Sequence, residues 1–311
     1  MIFATAFDVI EQRVQVLRKG MQSETVRKTG LLCAVAVFLV GTIVAGRQVS
    51  LPSEGIRWAP FYLLVFVGIP ATILLNALEM ELSGRLLGRR FGVWRALSTT
   101  IIASAANMLP LPGAALVRMA GLTGLGATVR ESGKVTLALA ILWLGIAFIL
   151  TGLFLVGEHG LMGATSLVVG GIATVTALWG LLRVSGRVSL ALWCLVVRCA
   201  MVLVAVVRLL LCFQMIGVAA SFHQTMVFSV SGVFGSAVSI VPAGLGVREL
   251  TSAALAPLAG IEPAGAFLAT AGDRFVELVV LLVLAVPLAL LSPAIWTKVR
   301  SGERSARSQS I

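Results

Sequence analysis

The chain has 311 residues, of which 59% are apolar and only 12% are charged, and its formal net charge is +11. A soluble domain usually carries about 25% charged residues, so the composition points away from a soluble globule. The basic residues mostly flank apolar runs, which favours a membrane over nucleic acid as the reason for the charge.

Apolar runs of about 20 residues recur along the chain, each long enough to cross ~30 Å of hydrocarbon as a helix. The ten-residue alternation of a transmembrane barrel is missing. The expected fold is an all-α polytopic membrane protein. Residues 1–29 form a basic amphipathic segment carrying Arg13, Arg18, Lys19, Arg27 and Lys28. The first span is expected over 31–45. It follows a mixed-charge segment and is succeeded by further spans, so it is not read as a cleaved signal peptide. The second span is expected over 58–78, followed by a basic loop with Arg85, Arg89, Arg90 and Arg95.

A small-residue segment over 97–109 is then broken by Pro110-Leu111-Pro112-Gly113, and a second short segment covers 114–128. Neither half is long enough to span. Proline removes a backbone donor and drives the preceding residue out of the α region. The pair is read as a re-entrant broken helix. Full spans follow over 135–156, 161–182 and 190–217. A second broken element covers 225–241 and 247–258, interrupted at Pro242-Ala243-Gly244-Leu245-Gly246. The last span covers 264–291, and residues 293–311 form a basic tail with Lys298, Arg300, Arg304 and Arg307.

Six full spans and two re-entrant pairs place both termini on one side. That side carries 18 of the 24 Lys and Arg, so it is expected to be cytoplasmic, in a plasma membrane. Each half of the membrane domain (30–156 and 160–292) crosses three times, so the two halves have opposite orientations. Leu87-Gly88 and Ile216-Gly217 each stand ten residues before a small-residue helix, and an arginine, Arg118 or Arg248, follows each break. Inverted repeats with broken helices near the midplane are a transporter architecture.

Four arginines fall within the expected spans of the second half, Arg198, Arg208, Arg248 and Arg274, with Glu249, Asp273 and Glu277; Asp273 and Glu277 share a face at i,i+4, and Arg274 reaches Glu277 at i,i+3. Arg198 and Arg274 each lie about ten residues from a helix end, ~15 Å deep at ~1.5 Å per residue. Arg208 is expected nearer the outer interface, within reach of it by snorkelling. A charge at the centre of a spanning helix costs roughly 2.5–3.5 kcal/mol, so these groups must face one another or a wet cavity. One reading is mutual neutralisation of Arg198, Arg248 and Arg274 by Glu249, Asp273 and Glu277. The other is a headgroup site, since the guanidinium fork matches phosphate and the broken backbone at Pro242, Gly244 and Gly246 frees N–H groups. Asn107, Pro110, Gly113 and Arg118 form the possible first-half counterpart. Ser231, Gly235 and Ser239 recur every fourth residue and are read as a surface for close helix approach. Four cysteines in apolar runs and two histidines in expected loops show no metal spacing, and no nucleotide motif is present. No cofactor is expected.

The stretch from Ile240 to Glu249, containing Pro242-Ala243-Gly244-Leu245-Gly246-Val247-Arg248-Glu249, resembles the signature of the flippase-like membrane domain of lysylphosphatidylglycerol synthases and its free-standing relatives. Asp273-Arg274 is similar to the family's arginine on the next helix. Asn107-Met108-Leu109-Pro110 through Arg118 looks like its first-repeat motif. Ala243 replaces a glycine, and Ala114 and Ala115 stand where an acidic residue often precedes the first arginine. The charges common on the following helix are replaced by the apolar stretch 137–144. The soluble synthase domain is not found in the chain. The resemblance implies translocation of an anionic, phosphate-bearing lipid, either a phospholipid or a polyprenyl-phosphate glycolipid, without lysyl transfer. The alternatives are a lipid-modifying enzyme using Glu249, Asp273 or Glu277 as base, and a non-transporting scaffold. The expected partners are such a lipid and the bilayer, not nucleic acid.

Overall fold

The computed structural model describes residues 38–49, 57–106, 113–237 and 245–291. Asn107, Pro110, Pro242 and Gly244, the segment 1–29 and the tail 293–311 lie outside them. The described residues are helical and contain no strand. Residues 38–48 form α1. Helix α2 runs Trp58–Leu86, α3 Val93–Ala106, α4 Gly113–Thr123, α5 Val129–Glu158, α6 Gly160–Ser185 and α7 Val188–Met215. A short turn at Phe222–Thr225 and a 3₁₀ turn at Met226–Phe228 lead into α8, Ser229–Ala237. Helix α9 covers Val247–Leu255 and α10 covers Pro263–Leu291. Helices α2, α5, α6 and α7 are each long and apolar enough to cross a membrane.

Local sequence explains the joints. Thr128 and Glu131 form a capping box that starts α5, each satisfying a backbone donor near the other. Pro70 sits inside α2, where a proline ring would crowd the carbonyl four residues earlier. The helix widens to a π turn over Leu64–Gly68 immediately before it. Helix α6 ends at Gly186, whose φ of 64° is a left-handed cap.

Several joints and contacts of residues 38–158 recur in residues 160–291. After α2, the Arg89 N–H donates to the Gly84 carbonyl and the Gly88 N–H to Arg85. After α7, the Val218 N–H donates to Phe213 and the Gly217 N–H to Gln214. Gly88 and Gly217 both adopt positive φ. The ends of the broken elements match as well. Ala127 and Gly126 donate to Leu122 and Thr123, and Ile261 and Gly260 donate to Ala256 and Pro257. In the first broken element Arg95 Nη2 donates to the Gly124 carbonyl at 3.1 Å. In the second, Gln224 Nε2 donates to the Ala259 carbonyl at 2.9 Å. Helix α3 packs against α10 as α8 packs against α5, and α2 lies along α7. Helix α1 meets α10 through Ala45, Phe267 and Ala271, as α6 meets α5.

The α5–α6 contact depends on glycine. A Cβ on Gly152 would lie 2.8 Å from the Leu167 nitrogen, one on Gly170 2.8 Å from the Ile149 nitrogen, and one on Gly163 would collide with the Val156 backbone. Small residues let backbones approach where no hydrophobic driving force separates protein from lipid. Gly171, on the same helix, faces open space. A leucine at Gly163 is expected to lower the thermal midpoint of the detergent-solubilised protein, with overpacking costing about 1–3 kcal/mol. Gly171→Leu is expected to leave the midpoint in place. Equal midpoints for the two variants would contradict this packing.

Candidate functional site

Two buried ionic clusters flank one cavity of about 680 Å³. The first is built by α2, α4 and α7. Glu79, 1% exposed, accepts from Arg118 Nη1 at 2.8 Å and contacts Arg198 Nε through its other oxygen. Arg118 Nη2 donates to Asn76 Oδ1. One carboxylate therefore sits behind two arginines. Gly113 brings α4 close to α3, because a Cβ there would collide with the Ala106 carbonyl.

The second cluster joins α7, α9 and α10. Arg208, 3% exposed, donates Nε to Asp273 Oδ1 at 3.0 Å, Nη2 to Glu277 Oε2 at 2.7 Å and Nη1 to Thr72 Oγ1 of α2 at 3.1 Å. Arg248 Nη2 donates to Asp273 Oδ2 at 3.1 Å. Arg274 Nη1 donates to Glu249 Oε1 at 2.9 Å. Glu249 is fully buried, and its Oε2 accepts the Gly246 N–H at 2.7 Å. It thus caps α9 while holding Arg274. Gly246 has φ 83°, a conformation that favours glycine at the exit from the break. Gly235 of α8 makes room for Arg248, since a Cβ there would lie 3.0 Å from the Arg248 Cβ.

These contacts revise three sequence expectations. Arg208 does not reach toward an interface; it is buried and binds three side chains. Arg198 pairs with Glu79, not with Glu249, Asp273 or Glu277. Asp273 and Glu277 do share a face, and they use it to clasp Arg208, while Arg274 turns to Glu249. The acidic partner missing from the sequence next to Arg118 is supplied by α2 as Glu79. The first half therefore has its own polar centre, although 137–144 is apolar. Ser231 and Gly235 lie at the packed face of α8 as expected, with the Ser231 hydroxyl donating to the Phe228 carbonyl. His223 is exposed in the short helical turn before α8, where its ring packs on Phe154 at 4.8 Å between ring centres. Among the described residues no group of His, Cys, Asp and Glu has metal-binding geometry.

All five arginines line the cavity, together with Asp273 and Glu277; Glu79 and Glu249 stand behind the arginines they bind. Arg118 and Arg248 are the least buried of the five, with side chains 23% and 21% exposed. Buried Arg248 Nε has no hydrogen-bond partner among the described residues.

Long apolar helices around a buried arginine–carboxylate cavity define a polytopic α-helical membrane protein. Residues 182–285 match the family model described as the lysylphosphatidylglycerol synthase TM region, so this stretch is similar to the membrane part of those proteins, as its Pro242–Glu249 motif implied. The match contains the whole second cluster apart from Thr72, and Arg198 of the first; Asn76, Glu79 and Arg118 precede it. No curated protein matches the chain at a significant level.

Proposed function

We propose that the protein translocates an anionic, phosphate-bearing lipid across the plasma membrane, holding the headgroup in the arginine-lined cavity while the acyl chains stay in the bilayer. The observation that carries this reading is the charge of the cavity. Five arginines meet four carboxylates, and two of those carboxylates stand in the wall behind arginines rather than in the open space. The face seen by a ligand is cationic. Arg248 adds an N–H that lacks an acceptor among the described residues, and a buried donor left unmade is costly. A phosphate oxygen moving through the cavity supplies that acceptor in passing.

The architecture behind this reading is six spans and two re-entrant pairs in an inverted repeat, with both termini cytoplasmic. Three findings support it: the matching caps after α2 and α7, the reciprocal packing of α3 on α10 and α8 on α5, and the closing bonds Arg95–Gly124 and Gln224–Ala259. A pair whose start and end touch returns to the side it left. Transport is favoured over lipid chemistry because each candidate base already binds an arginine: Glu249 holds Arg274, and Asp273 and Glu277 hold Arg208.

The test is translocation of a fluorescent phosphatidylglycerol in phosphatidylcholine vesicles, read by dithionite bleaching. Wild-type protein is expected to expose the inner-leaflet probe. Arg248→Gln is expected to slow exposure roughly 10- to 100-fold, from loss of a charge-assisted hydrogen bond. Wild-type rates from a folded Arg248→Gln protein would overturn the assignment.

A further inference from the structure

The two clusters differ in charge. Around α10, Arg208, Arg248 and Arg274 face Glu249, Asp273 and Glu277, three against three, and the set is neutral within itself. Around α2, among the described residues, Arg118 and Arg198 share Glu79 alone, and the other partner of Arg118 is the neutral amide of Asn76. The excess positive charge of the cavity therefore resides in the first cluster. Taking an uncompensated charge out of water is costly, and Arg198 is buried. This cluster needs a counter-anion more than the other does.

Resting on the headgroup reading above, we propose that the phosphate-type anion seats between Arg118 and Arg198, in the first half of the protein. The second cluster, which carries the recognisable sequence motif, is then a neutral latch beside the seat. Two features fit the assignment. Glu79 holds both guanidiniums as a positioning residue, through Arg118 Nη1 and Arg198 Nε, and both arginines line the cavity. Arg118 is the more exposed of the two and opens onto the cavity. Helix α2 also carries Thr72, Asn76 and Ser83 on the cavity wall with Met80. This polar row starts at Arg208 in the neutral cluster and reaches the Glu79 level seven residues later, roughly 10 Å along the helix. An anion released from the seat meets hydroxyl and amide groups along this wall rather than bare hydrocarbon.

Phosphate chemistry can come from a lipid headgroup or from the free ion, and the test separates them. The full chain in a neutral maltoside detergent is titrated with dihexanoyl phosphatidylglycerol and, separately, with inorganic phosphate, and affinity is read by thermophoresis. Arg118→Gln and Arg198→Gln are expected to weaken binding at least about tenfold, the loss of one charge-assisted contact. Arg248→Gln is expected to weaken it less. Wild-type affinity in both Arg118→Gln and Arg198→Gln, each with an unchanged thermal midpoint, would overturn the placement. If Arg248→Gln alone abolishes binding, the cavity reading stands and the seat assignment falls. If phosphate binds and the lipid does not, with the same two arginines required, the seat stands and the lipid reading falls. Binding of neither probe to wild type overturns both. Should Arg118→Gln fail to fold, Arg118→Lys keeps the charge on Glu79 but loses the planar fork. It is then expected to bind more weakly, and wild-type affinity in that variant would count against the seat.

Discussion

Replacing Glu249 by leucine is expected to destabilise the protein by about 3–5 kcal/mol, the cost of withdrawing one partner from a buried ion pair. Glu249 has two roles in one side chain. Its Oε1 accepts from Arg274 at 2.9 Å, and its Oε2 accepts the Gly246 N–H at 2.7 Å. The second bond caps α9 and fixes the chain where it leaves the break with Gly246 at positive φ. Loss of a cap alone costs about 0.5–2 kcal/mol. Glu249→Gln separates the roles, because its amide oxygen still caps the helix while the charge is gone. The expected order of thermal midpoints in detergent is wild type, then Glu249→Gln, then Glu249→Leu. The double variant Glu249→Leu with Arg274→Met removes both charges and is expected to recover part of the loss, since joint replacement of an ion pair is often close to neutral. A Glu249→Leu protein melting with wild type would show that the pair contributes nothing to stability.

Much of this arrangement was legible in the sequence. The apolar runs of α2, α5, α6 and α7 were expected where long apolar helices are now described, and the ionic residues that follow Gly246 where contacts are, while the two breaks lie outside the described residues. Gly88 and Gly217, each ten residues before a small-residue segment, both follow a long helix at positive φ. What was not legible was the partner of each charge. Helical periodicity pairs Arg274 with Glu277 at i,i+3, and the fold instead gives Glu277 to Arg208 across two helices. Local spacing constrains neighbours on one helix; interhelical pairing is set by packing that the sequence does not display. Glu79 was missed for a different reason. The second span was expected to stop at residue 78, which left Glu79 as the first residue of a loop. The helix continues to Leu86, and Thr72, Asn76, Glu79 and Ser83 then fall on one side of it at spacings of four, three and four. That polar row in an apolar helix was the available signal. Arg208 was misplaced by counting depth from the helix end. Its length permits snorkelling, yet Thr72, Asp273 and Glu277 together offer a better environment than the interface.

Arg208 is also where the second large effect is expected. It is the one side chain described here that ties α2, α7 and α10 together, through three hydrogen bonds of 2.7–3.1 Å. Arg208→Leu withdraws the only arginine bound to Glu277 among the described residues and one of two bound to Asp273. The expected cost is again about 3–5 kcal/mol, enough to shift much of the purified protein from a monodisperse peak to aggregate on size exclusion. Arg208→Lys retains the charge but is a point charge without the fork, so it cannot hold three acceptors in the same directions. It is expected to fall between wild type and Arg208→Leu. The aim of Arg208 depends in turn on the π turn of α2. A Cβ on Gly68 would stand 2.9 Å from the Arg208 Cγ, so the widened turn before Pro70 leaves the stem its place. Gly68→Ala changes no charge, yet it is expected to lower the thermal midpoint in the same direction as Arg208→Lys. If Gly68→Ala were as stable as wild type while Arg208→Leu was not, the charge would matter and its placement would not. If Arg208→Leu itself kept the wild-type midpoint, the three-helix tie would have no energetic consequence.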